Sequence, residues 1–172
     1  MRKPAQVALC VVLAAGGHES AAGPLDDRVV SLTVSPFHAP LPVLELTGEV
    51  RISRQFSGAL IAGIGRFLDA RGHPHDSREI GAQVTYYRAP TFRELHVGIE
   101  STYVKASDAA SSTTFTGTAF ALGAFVGWKY LHRWGVTLVA QGGLAMGWVE
   151  EFSRETDTRL LPIINLQAGW SF

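Results

Sequence analysis

Beyond residue 22 the chain carries five histidines, His38, His73, His75, His96 and His132, and only one stretch sets histidine beside other reactive groups. That stretch is Gly72-His73-Pro74-His75-Asp76-Ser77. It supplies a hydroxyl, an imidazole and a carboxylate, the three types that activate a serine nucleophile. It also supplies two imidazoles and an oxygen donor, a set suited to zinc or copper. In an extended loop His73 and His75 fall on one side, and Pro74 biases His73 toward that geometry. Against both readings, triad members converge in space from distant positions, and three ligands in one loop make a site no tighter than micromolar. A solvated polar loop is the plainer reading. No catalytic residue, cofactor or firm metal site is assigned, and whether the chain is an enzyme stays open.

A second set of polar residues is scattered along the chain: Glu45, Glu49, Arg51, Glu94, His96, Glu100 and Lys129. Their meaning depends on the elements that carry them. From Val136, the even positions Val136, Leu138, Ala140, Gly142, Leu144, Met146 and Trp148 alternate with Thr137, Val139, Gln141, Gly143, Ala145 and Gly147. This is the period of a β-strand. Phe120, Leu122, Ala124, Val126, Trp128 and Tyr130 oppose Gly117, Ala119, Ala121, Gly123, Gly127 and Lys129, and the closing segment sets Leu160, Ile164, Leu166, Trp170 and Phe172 against Asn165, Gln167, Gly169 and Ser171. Similar alternation spans 94–105, 80–88, 59–65, 41–52 and 29–36, although Ile61 breaks the contrast in its segment. The expectation is about eight strands. Ser35-Pro36-Phe37-His38-Ala39-Pro40 is either a connection between the first two or a kink within one.

The seven polar residues all fall on the face opposite the bulky apolar side chains. A dry interior does not tolerate isolated charge, so they require pairing or water. With Glu45 and Glu100 at middle depth, Arg51 and Lys129 are expected nearer one end, Arg51 and His96 reaching toward the acids. The result is a hydrogen-bonded plug or, alternatively, a narrow gated pore.

The chain of 172 residues is one domain, and its 15 Lys+Arg balance 15 Asp+Glu, so no basic field gathers nucleic acid. Only 17% of residues are charged and 18 are Gly, a composition that suits an apolar surrounding better than water. Arg2 and Lys3, the apolar run 5–17 and Ser20-Ala21-Ala22 read as a signal peptide over 1–22, leaving 23–172 as the folded domain. Loss of Arg2, Lys3 and Glu19 takes the 15 basic and 15 acidic residues to 13 and 14, and Cys10 leaves too.

In a soluble eight-stranded barrel the large apolar residues point inward and charges cover the outside. Here the opposite face is mostly Gly, Ala, Ser, Thr and Gln, small enough to share a narrow bore, so the bulky face should point outward into lipid. Short connections at 53–55, 89–91 and 132–135 alternate with longer ones at 69–77, 106–112 and 151–158. Phe56, Tyr86, Phe92, Trp128, Tyr130, Trp134, Trp170 and Phe172 then gather at the short-turn rim, with Tyr103 and Trp148 at the other. These are two aromatic girdles.

In strand number, loop alternation and its ending Leu166-Gln167-Ala168-Gly169-Trp170-Ser171-Phe172, the chain resembles the small eight-stranded outer-membrane barrel proteins, the OmpA-type transmembrane barrel group. The resemblance implies an all-β, antiparallel, up-and-down transmembrane barrel in the outer membrane of a Gram-negative-type envelope. It implies outer-membrane lipids as partners, and the barrel-assembly machinery as reader of Leu166, Trp170 and Phe172. An extracellular ligand held by the outer loops is a further reading. The expected role is structural or interactive at the cell surface, the alternative a lipid-A or phospholipid acyl-modifying enzyme. A lipid-A deacylase of this kind would place His two residues before Ser, a spacing that His75 and Ser77 have, whereas a palmitoyltransferase-like site would use the His, Asp and Ser types of 72–77.

Overall fold

In a computed structural model, described over residues 28–39, 43–68, 74–90, 92–108, 115–151 and 156–172, the chain is all-β. The segment read as a signal peptide, and His73, lie outside the described residues. Eight strands follow in order: β1 (Val30–Ala39), β2 (Val43–Arg51), β3 (Phe56–Leu68), β4 (Pro74–Tyr87), β5 (Glu94–Asp108), β6 (Phe115–Leu131), β7 (Val136–Glu151) and β8 (Thr156–Ser171). Each pairs antiparallel with the next and β8 returns to β1, giving a closed up-and-down barrel. Closure leaves no free sheet edge.

Residues 35–39 belong to β1, and β1 and β2 are two antiparallel strands rather than one kinked strand, since Val30 faces Val50 and Ser35 faces Glu45. Pro36 leaves its mark on the other side of β1. The register against β8 slips between Val34 and Phe37, where a residue without an N–H cannot hold the ladder. At the β6–β7 turn Gly135 adopts φ 103°, a region that disfavours any side chain, and its carbonyl accepts from Ser171 N at 2.8 Å.

Alternation sends the two halves of each strand's composition to opposite sides. Leu60 (72% exposed), Ile80, Ile99, Val126, Leu138, Leu144 and Leu166 stand outside, while Ser31, Thr47, Ser57, Gln83, Thr137, Asn165 and Ser171 are buried within. Ile61, Phe125, Val139 and Ile163 are apolar exceptions among the inward positions. They fill space left by small neighbours, as when Gly98 and Gly123 admit Phe125 and Ile163.

The connections at the short-turn end match the sequence pattern. At the other end the strands run further than expected: β4 begins at Pro74, β5 ends at Asp108 and β8 begins at Thr156. The segment 74–77 is therefore strand, not loop. Phe92 departs from the girdle assignment. The β4–β5 turn folds its ring into the bore, where it is 1% exposed, whereas Phe56, Tyr86, Trp128, Tyr130, Trp134, Trp170 and Phe172 remain exposed.

Candidate functional site: the polar lumen

Among the described residues, four carboxylates face the lumen: Glu45, Glu49, Glu79 and Glu100. Near the short-turn end, β2 directs Glu49 across the bore to Lys129 of β6, with Nζ 2.7 Å from Oε2 and the lysine side chain wholly buried. Tyr87, the last residue of β4, donates its hydroxyl to Glu49 Oε1 at 2.7 Å, and Ser57 Oγ donates to the same oxygen. The carboxylate thus meets a cation and two hydroxyls, which answers the cost of removing both charges from water. Phe92 covers this group from the turn. Its ring centroid lies 3.5 Å from Lys129 Nζ and 5.4 Å from the Tyr87 ring, so the ammonium faces a π surface on one side and a carboxylate on another.

Further along the bore, Tyr87 packs against His96 at 5.3 Å and His96 against Phe125 at 6.1 Å. His96 Nδ1 lies 3.1 Å from the Glu94 carbonyl, which can only accept, so Nδ1 carries the proton. Nε2 then accepts from Gln141 Nε2 at 3.4 Å. Gly127, cross-strand from His96, makes room for the ring, since a Cβ there would run into it.

Glu45, fully buried, accepts from Thr47 Oγ1 at 2.9 Å and Asn165 Nδ2 at 3.0 Å, and Gln167 approaches at 3.5 Å while receiving Thr33 Oγ1 at 2.6 Å. Glu100 accepts from Gln83, its cross-strand neighbour. Beyond Glu100 lies a cavity of about 80 Å³, lined among others by Glu79, Glu100, Thr102, Val104, Ala145 and Ile163. It has room for a few water molecules beside two carboxylates.

Glu45, Glu49, His96, Glu100 and Lys129 therefore share the lumen. Arg51 and Glu94 stand at its rim. Arg51 donates to the carbonyl oxygens of Ser53, Arg54 and Pro90, tying two turns together at the mouth. Glu94, expected inside, is exposed with φ 73° and lies 3.8 Å from Arg93. The ladder ends here, so parity no longer fixes direction. Ser57, Glu79, Gln83, Tyr87, Gln141 and Asn165 are among the further polar groups, and Phe92 and Phe125 flank them. The inward parity of all but Phe92 is readable in the sequence; their partners are not.

The described part of the 72–77 cluster, residues 74–77, is divided by the strand that contains it. Ser77 is buried on the inward face of β4, which His75 shares by parity, while Asp76 points outward and accepts from Arg66 Nε at 2.7 Å. This pair lies beyond the apolar band, and the Arg66 hydrogen bond holds the Asp76 carboxyl below the usual range. A joint metal or triad role for His75 and Asp76 does not fit opposite faces. Among the described residues no group of three His, Cys, Asp or Glu side chains is placed to hold a metal.

Leu166, Trp170 and Phe172 lie exposed along one face at the seam where β8 meets β1. Phe172 closes that seam through its backbone: its N–H donates to Val30 O and its carbonyl accepts from Val29 N, both at 2.8 Å. Comparison with protein-family models, with curated proteins and with solved structures finds no match to this chain.

Proposed function

We propose that the chain is an outer-membrane β-barrel protein of the OmpA-type kind, with a structural or cell-surface interaction role and a plugged lumen. In this reading residues 1–22 direct export through the periplasm. The barrel-assembly machinery reads the exposed Leu166, Trp170 and Phe172, and outer-membrane lipid is the surrounding solvent. The carrying observation is the direction of the side chains. All eight strands present large apolar residues outward, from Leu32, Leu44, Leu60 and Ile80 to Ile99, Leu122, Leu144 and Ile164, while paired charge is held inside. A continuous apolar ring of this extent far exceeds what water-soluble monomers expose.

The plug bears on the alternatives. Phe92, Lys129, Glu49 and Tyr87 meet across one end of the bore, which opposes steady conduction. The placement of His75 and Asp76 on opposite faces speaks against an acyl-modifying site built on Asp76, while His75 and Ser77 share the inward face of β4. Electrophoretic mobility of detergent-folded protein, with and without heating, tests the architecture: a heat-dependent shift is expected, and heat-independent migration together with solubility in detergent-free buffer overturns it. Mass spectrometry of lipid A from cells with and without the protein tests the role. Unchanged acyl chains are expected, and an altered acyl pattern favours the enzyme.

A further inference from the structure

The short-turn end of the barrel carries a charge pattern that the lumen does not use. Arg28, Arg51, Arg54, Arg88, Arg93 and Arg133 all lie there, in or beside the segments joining β2 to β3, β4 to β5 and β6 to β7. Among the described residues, Glu94 is the one acid at that end outside the lumen. Among the described residues, the cations of this rim outside the lumen are all arginine. Arginine presents a planar fork that binds phosphate oxygens in pairs, whereas lysine is a point charge.

Two of the six organise the end itself. Arg51 joins the first two turns through the Pro90 carbonyl, and Arg28 donates to the carbonyl oxygens of Ser171 and Arg133, joining the third turn to the barrel seam. Arg54 and Arg88 are thereby set on neighbouring turns, which Tyr87 N also links to Gln55 O at 2.8 Å, and Arg133 is set beside Arg28. Arg54, Arg88 and Arg133 are exposed.

Each exposed arginine adjoins an exposed aromatic. Arg54 precedes Phe56 by two residues, Arg88 follows Tyr86 by two, and the Arg133 guanidinium lies 5.2 Å from the Trp134 ring centroid. The Phe56 and Tyr86 rings are themselves 5.2 Å apart. A ligand of this rim must therefore present an anion directly beside an apolar body at the girdle. An amphiphile does so; a nucleic acid or an acidic protein surface offers the charge without the apolar body.

We propose that the arginine rim binds the phosphate headgroups of anionic lipids in the adjoining leaflet, Arg54 with Arg88 making one contact and Arg133, held in place by Arg28, another. The inference rests on the membrane reading above. The test uses two single-tryptophan proteins, one keeping Trp134 and one keeping Trp148 at the opposite end, with the remaining tryptophans changed to Phe. Each is folded into phosphatidylcholine vesicles containing a minor fraction of brominated phosphatidylglycerol or the same fraction of brominated phosphatidylcholine. Trp134 is expected to be quenched more strongly by the anionic lipid, and Trp148 equally by both. The excess should fall with added salt in the unsubstituted rim, and Arg54→Gln/Arg88→Gln/Arg133→Gln should remove it, relative affinity dropping about fivefold per arginine. Equal quenching of Trp134 by the two lipids, or an excess that survives salt or the triple substitution, overturns the lipid site while leaving the barrel in its membrane. If neither brominated lipid quenches Trp134, the membrane reading fails and the lipid site with it.

Discussion

Phe92 lays its ring 3.5 Å from the ammonium of Lys129, so a residue from a turn seals a buried ion pair formed between opposite walls of the barrel. The aromatic face and the Glu49 carboxylate share the work of replacing water around the cation. Removing either part has a different consequence.

Lys129→Met leaves Glu49 with two hydroxyl donors and no cation. A loss of about 3–5 kcal/mol is expected, the range for breaking one side of a buried pair. Lys129→Met/Glu49→Gln should recover most of it, because the uncompensated charge is gone. Urea unfolding of detergent-folded protein measures both, and additive losses would show that the two residues are not coupled.

Phe92→Ala opens the plug at the short-turn end. Stability should fall by about 3–5 kcal/mol, as for other large-to-small aromatic truncations. Lys129 should also become reactive toward a water-soluble amine reagent, read by peptide mass spectrometry against the already exposed Lys105. Unchanged labelling of Lys129 would mean that Phe92 does not control water entry.

The membrane reading separates two kinds of damage on β7. Leu144→Arg places charge on the apolar exterior and should cost roughly 2–4 kcal/mol near a bilayer midplane. Gly143→Leu acts inside: even a Cβ at Gly143 would collide with the Ala124 carbonyl, so the strands must separate. Folding yields in bilayers and in short-chain detergent distinguish them, since the Leu144 penalty depends on the apolar solvent and the Gly143 penalty does not. An equal Leu144→Arg loss in both media contradicts lipid exposure.

Phe172→Ala keeps the backbone bonds to Val29 and Val30 and removes only the ring. Assembly in cells should fall more than refolding into detergent, if the terminal aromatic is read by the insertion machinery. Deletion of Phe172 should impair both, because the backbone closure of β1 on β8 goes with it. Equal losses for Phe172→Ala in the two assays remove the recognition role.

The number of strands and the side to which most residues point are legible in the residue alternation. These follow from alternation, a property of extended backbone that needs no knowledge of neighbours: Lys129, Glu45, Glu100 and Gln83 are inward because of their parity within their own strands. Where the ladder stops, that rule stops. Phe92 and Glu94 flank the start of β5, and the turn sends the first inward and the second outward. At 74–77, alternation along β4 sends Asp76 outward to Arg66 and leaves His75 and Ser77 on the inward face. Which lumen groups meet was left to the tertiary structure. Glu49 and Lys129 lie 80 positions apart on strands that do not pair, and Asn165 of β8 reaches Glu45 of β2 past the intervening β1. Such contacts depend on strand stagger and on the diameter at which eight strands close, and both are properties of the whole barrel.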